Sequence, residues 1–155
     1  MKNSDNLKGR AILLTIFIRG IHAQSNEPEK IVKNFFDLYK QNRIEQALDY
    51  LFSSNPILYN KSESIKNLKN TFTNIEKVLG GYKDYSISYN QEHFESLKII
   101  ITYVRYEKQP LRLLFVFYKP GDKWITYRFE IDTKFPENFI NQVLKENGFI
   151  IEDNN

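Results

Sequence analysis

The chain has 155 residues, 41% of them hydrophobic and 26% charged, so it can bury one domain-sized core and is too apolar for overall disorder. It has no cysteine, which excludes disulfides, thiolate metal sites, cysteine nucleophiles and a lipidated N-terminal cysteine. The formal charge of +3 is concentrated at the front. The first 23 residues hold Lys2, Lys8, Arg10 and Arg19 against Asp5; removing these four from 22 and one from 19 leaves 18 basic and 18 acidic residues. A neutral body argues against nucleic acid as a partner, because such binding rests on basic side chains displacing counterions.

The leader "MKNSDNLKGRAILLTIFIRGIHAQS" has the three parts of a secretory signal: a positive start, an apolar run from Ala11 to Ile18, and the small residue Ala23 before a polar stretch. Residues 1–23 are therefore read as a signal peptide, and the protein as exported, periplasmic or secreted from a bacterium. The apolar run falls short of the ~20 residues that span a bilayer, so no stable membrane span is expected.

From Gln24 the pattern is helical. Pro28 suits a first turn, Ser25 or Asn26 is the expected cap, and Ile31, Val32, Phe35, Phe36, Leu38 and Tyr39 recur at helical spacing. Asn42 with Glu45 reads as a capping box for a second helix, with Ile44, Ala47, Leu48, Leu51 and Phe52 on one face. "SSNP" breaks it. A third helix carries Ile65, Leu68, Phe72, Ile75 and Leu79 and is closed by Gly80-Gly81.

The period then changes to two. Strands are expected at Tyr85–Tyr89, Leu97–Tyr106, Leu111–Tyr118 and Trp124–Ile131, with Pro120-Gly121 forming a type II turn between the last two. In the last strand Ile125, Tyr127, Phe129 and Ile131 are expected to face the helices, and Trp124, Thr126, Arg128 and Glu130 to face away. The two middle strands are apolar on both sides, as in sheets covered on both faces. Helices are available for only one face, so the other is expected to meet a second copy of the chain or a terminal segment of this one, and a dimer is the reading taken. "FPENFINQVLKENG" gives a short closing helix capped by Gly148, and residues 151–155 read as a frayed end. The fold class is α+β: three N-terminal helices packed on a curved four-stranded antiparallel sheet, then a short C-terminal helix, in one domain over residues 24–150.

This order, helices from Pro28 to Leu79 and then a sheet from Tyr82 to Thr133, resembles the cone-shaped fold of the nuclear transport factor two-like superfamily, which includes ketosteroid isomerase-type enzymes. The stretch "YVRYEKQPLRLLFVFYKPGDKWITYRFEID" resembles small exported bacterial members of that group. The resemblance implies a cavity between sheet and helices. It implies no reaction, since many functions use the fold.

Five tyrosines, Tyr85, Tyr89, Tyr106, Tyr118 and Tyr127, are the candidate lining of such a pocket. They read either as core residues with satisfied hydroxyls or as a wall for a small apolar ligand. A Tyr hydroxyl can also donate to a developing oxyanion, which keeps an isomerase or dehydratase as the alternative. Arg112 is placed near that lining. Asp49, Asp84 and Asp132 are the available carboxylates, and none carries a catalytic motif. His93, in "NQEHFES" with Glu92 and Glu95, is too isolated for a metal site. No phosphate loop, Ser elbow, paired-His zinc spacing or EF-hand loop is present in the sequence. "LRLLFVFY" matches only the end of an RNA-recognition signature. The sequence thus points to a non-enzymatic domain without cofactor or metal. Its expected partners are a small apolar ligand or an envelope protein, and a second copy through the outer sheet face.

Overall fold

A computed structural model of the chain describes residues 27–59 and 62–148. The signal-like leader, the capping candidates Ser25 and Asn26 and the C-terminal end lie outside these residues. Helices α1 (Pro28–Lys40), α2 (Ile44–Phe52), α3 (Pro56–Tyr59) and α4 (Ser62–Leu79) precede strands β1 (Tyr82–His93), β2 (Leu97–Tyr106), β3 (Leu111–Tyr118) and β4 (Ile125–Asp132). Helix α5 (Phe135–Glu146) follows. The protein is an α+β domain with one antiparallel sheet in the order β1-β2-β3-β4. Among the described residues no helix is long and apolar enough to cross a membrane.

Helix α1 ends differently from the expectation. Asn42 adopts a left-handed φ of 58°. Its N–H donates to the Tyr39 carbonyl at 2.9 Å, and the Arg43 N–H donates to Leu38 at 3.0 Å. That pair of bonds is the Schellman closure of α1. Asn42 therefore stops one helix instead of capping the next, and Arg43 holds the cap position of α2 without a side-chain capping bond. The expected break at "SSNP" contains an extra turn of helix, α3. Its Asn55 Oδ1 accepts from the N–H groups of Ile57 and Leu58 at 3.1 and 3.4 Å. Asn before Pro is a helix-start signal in its own right.

The core lies between the helices and one face of the sheet, here called inner. Ile100, Thr102 and Val104 of β2 and Leu111, Leu113, Phe115 and Phe117 of β3 are buried there. Phe35 of α1 is the hub. Its ring lies 5.6 Å from Phe115, 5.8 Å from Phe129 and 6.1 Å from Phe72 of α4. Aromatic rings fill much of the space between helices and sheet, and a hollow of about 240 Å³ remains where Phe52, Leu58, Ile65 and Leu68 of the helices meet Phe129 of β4.

Bulges decide the faces of the two edge strands. Val116 pairs with Arg128 and Phe117 with Thr126, so Tyr127 is an extra residue in β4. Trp124 and Thr126 consequently turn inward with Phe129 and Ile131, while Tyr127 is 58% exposed. This corrects the strict alternation expected for that strand. The cause is a set of hydrogen bonds from the α2–α3 connection. Asn55 Nδ2 donates to the Thr126 carbonyl at 2.8 Å, Thr126 N–H donates to Ser54 Oγ at 3.1 Å, and Thr126 Oγ1 donates to the Leu51 carbonyl at 2.6 Å. Buried main-chain groups must be paired, and here the loop supplies partners.

In β1 an extra residue at Ser88 shifts the register, so Tyr85 pairs with inward Val104 and Tyr89 with outward Ile101. The β3–β4 connection also departs from expectation. Left-handed glycines among the described residues are Gly80 and Gly148, so Gly121 does not take the positive φ of a type II turn. Lys119 instead lays its ammonium 5.5 Å from the Trp124 ring centre.

Candidate functional site

The five tyrosines named from the sequence do not form one pocket. Tyr85 and Tyr106 are on the inner face; Tyr89, Tyr118 and Tyr127 are on the outer. On the inner side, Tyr85 stacks on Phe36 with ring centres 3.7 Å apart. The Tyr106 hydroxyl shares a 2.8 Å hydrogen bond with that of Tyr39, and both residues are buried. Burial raises the pKa of both phenols. Partial burial, with Tyr85 and Asp84 nearby, pushes Tyr82 up to about 12. These hydroxyls are neutral at physiological pH, and those of Tyr39 and Tyr106 satisfy each other, as core tyrosines do.

Base chemistry would need a buried carboxylate beside them; the carboxylate that acts on both Tyr39 and Tyr106, Glu76 of α4, is only half-buried. Among the described residues the buried polar side chains are Asn55, Thr102 and Thr126, none of which ionises. Asp49 sits 3.3 Å from Lys69, Asp84 is paired with Arg105, and Asp132 is held by Arg112. Among the described residues no group of three or more His, Asp or Glu side chains could hold a metal ion. His93 ends β1, where its Nε2 lies 3.2 Å from the Tyr89 hydroxyl.

The outer face is built differently. Its centre is aliphatic: Ile99 faces Val116 and Ile101 faces Leu114 across the β2–β3 ladder. The arginines on this face are neutralised by carboxylates: Arg105 by Asp84, Arg112 by Asp132 and Arg128 by Glu130. Arg112 donates through Nε and Nη2 to Asp132 Oδ2 at 3.2 and 2.6 Å. Its guanidinium lies 4.7 Å from the Phe135 ring centre, which fixes the start of α5 at this end of the sheet. Tyr103 meets the same ring edge-on at 5.7 Å.

Two concavities open on this face. A groove of about 560 Å³ beside α5 is lined by Ile101, Arg112, Leu114, Glu130, Ile131 and Asp132. Ligand pockets typically measure about 300–1,000 Å³ and combine apolar walls with a few fixed polar groups. A smaller hollow of about 300 Å³ at the other end is lined by Leu97, Tyr118 and Tyr127, and the two tyrosine rings meet edge-on at 6.4 Å. So the structure brings together two of the named tyrosines, Tyr118 and Tyr127. Sequence reading placed Arg112 near the lining and missed its clamp on Asp132 and Phe135. The only available signal was that each lies at the end of an element.

Comparison of the chain with protein families, with curated proteins and with solved structures gives no match.

Proposed function

We propose that this is a non-catalytic binding domain, exported by a bacterial cell, whose working surface is the outer face of the sheet. Two copies pair through that face, and the groove beside α5 takes a small, predominantly apolar ligand. One observation carries the reading: aromatic rings fill most of the inner side and leave a hollow of about 240 Å³, while the larger groove, in which Ile101, Leu114 and Ile131 stand beside the ion-paired Arg112, Glu130 and Asp132, lies on the outer side. The cone-fold resemblance remains part of the proposal through the order of helices and sheet, with the ligand site moved outside the cone. An isomerase-type activity has less support, because the buried tyrosines bond to each other and Glu76, the carboxylate that acts on both, is only half-buried.

Size and charge favour a second copy on this face. Four strands of 12, 10, 8 and 8 residues present about 600 Å² in projection, given spacings of about 3.3 Å along and about 4.8 Å between strands. Side-chain relief and α5 add to this, reaching the scale of the about 800 Å² per partner found in stable interfaces. Ion-paired arginines leave the face neutral and self-complementary, as a two-fold interface requires. Native mass spectrometry of the protein purified from its own host tests both parts. A dimer mass with a retained small molecule is expected. A ligand-free monomer at high concentration overturns the proposal.

A further inference from the structure

The β1–β2 connection is a type I′ turn made from the wrong residues. His93 and Ser96 flank Phe94 and Glu95, whose φ angles are 55° and 56°, and Ser96 N–H donates to the His93 carbonyl at 3.3 Å. Turns of this type use Asn-Gly or Gly-Gly because both central residues must be left-handed. A bulky aromatic residue in that region is an outlier. The turn is nevertheless held firmly, since Lys119 N–H donates to the Ser96 carbonyl at 2.8 Å. The strained backbone presents the Phe94 ring 90% exposed. Glu92 and Glu95 beside it form no ion pair, so local charge does not account for the choice of residues. Strain kept against a cheaper sequence clusters at recognition sites.

The opposite end of the sheet carries a second exposed apolar feature. On α5, Phe139, Ile140 and Val143 are 53%, 55% and 38% exposed, and their spacing puts them on one side of the helix. Strand register fixes the separation. His93, Leu97, Tyr118 and Ile125 mark the turn end; Arg112 and Asp132, followed by α5, mark the other. In a face-to-face pair related by a two-fold axis across the middle of the strands, the turn end of each copy lies over the α5 end of its partner.

We propose that Phe94 is the anchor of that pair, docking on the Phe139–Ile140–Val143 surface of a second copy, with two such contacts per dimer. This rests on the outer-face pairing proposed above and adds the residues that set its register. A fully exposed ring at one end and an uncovered apolar patch at the other are complementary only between molecules, as a self-matching two-fold contact requires.

The test is sedimentation of the full chain over a concentration series, with thermal melts alongside. Leu114→Asp probes the sheet face. F94N/E95G gives the turn its preferred residues, so at a dilution where both chains are monomeric its melting temperature should equal or exceed the wild type's. Phe139→Asp removes the patch. The expected result is a wild-type dimer, a monomeric Leu114→Asp variant, and at least a tenfold higher dissociation constant for F94N/E95G. Mixing F94N/E95G with Phe139→Asp should recover association above either variant alone, because one intact knob then meets one intact patch. If Leu114→Asp is monomeric while F94N/E95G pairs as the wild type does, the Phe94 anchor is wrong and the sheet-face pairing stands. If the mixture recovers nothing, the reciprocal contact is wrong. A monomeric wild type removes both.

Discussion

The same four strands show two faces of similar apolar content and different fate. On the inner face Ile100, Val104, Leu111, Phe115 and Phe117 are fully buried. One residue along, Ile99, Ile101 and Leu114 on the outer face are only partly covered, and Tyr118 is 40% exposed. Composition does not separate them. The difference comes from α1, α2 and α4, whose apolar stripes converge on one side. An apolar strand face therefore reports a demand for cover, and only the neighbouring elements say whether the chain meets it itself.

The sharpest test of this asymmetry compares adjacent residues of β3. Phe115→Ala should destabilise the fold by about 3–5 kcal/mol, the usual cost of emptying a packed aromatic site. Leu114→Ala, on the outer face, should cost about 1 kcal/mol or less in a dilute sample. Urea unfolding at a concentration where the chain is monomeric measures both. Equal losses would mean that the outer face is already covered within one chain, and the comparison would fail.

Alkaline unfolding tests the same asymmetry through tyrosine. Burial raises the pKa values of Tyr39, Tyr82 and Tyr106 above the unfolded value near 10. Above pH 10 the unfolded chain loses these protons first, so stability is full below that value and falls as pH rises through the folded pKa values. Exchanging both Tyr39 and Tyr106 for Phe removes two of these groups and should move the alkaline midpoint upward.

Within the inner face, two buried threonines are expected to respond with opposite signs. The Thr126 hydroxyl donates to the Leu51 carbonyl, whereas the Thr102 hydroxyl has no partner. Thr126→Val should therefore cost about 1–3 kcal/mol by leaving a buried carbonyl short of a donor. Thr102→Val removes an unpaired polar atom at nearly constant shape and should stabilise by about 1 kcal/mol. Chemical denaturation separates the two. Loss of stability in both would mean that Thr102 has a partner after all.

Much of the architecture was legible because periodicity carries it. The limits of β2 and β3 and the span of α4 follow from apolar spacing alone. The bulges were not legible. Nothing in "WITYRFEID" says that Tyr127 is an extra residue, because the shift is imposed by Asn55 and Ser54 more than 70 residues away. The candidate site suffered from the same cause. Three of the five tyrosines grouped as one lining, Tyr89, Tyr118 and Tyr127, lie on the outer face, and for Tyr89 and Tyr127 the bulges at Ser88 and at Tyr127 itself decide the side. Phe94 was hidden in another way: a tight turn announces itself by Gly or Asn, and this one has neither.

The smallest expected effect sharpens the boundary of the outer face. Gly80 has φ +81°, and a Cβ there would lie 2.6 Å from Glu107 Oε2, so it cannot be replaced without strain. Gly121, in the β3–β4 connection at the turn end, has no left-handed φ and nothing within 4 Å of a Cβ. Replacing it by Ala restricts the unfolded chain without touching the folded one and should stabilise by about 0.4–1 kcal/mol. Dimer affinity should not change, since the side of the turn end assigned to pairing is Phe94 and not this loop. Melting and sedimentation of Gly121→Ala check both statements together. A gain in stability with weakened pairing would extend the outer interface to the β3–β4 loop, because a single added methyl in open space can disturb only something that approaches from outside the chain.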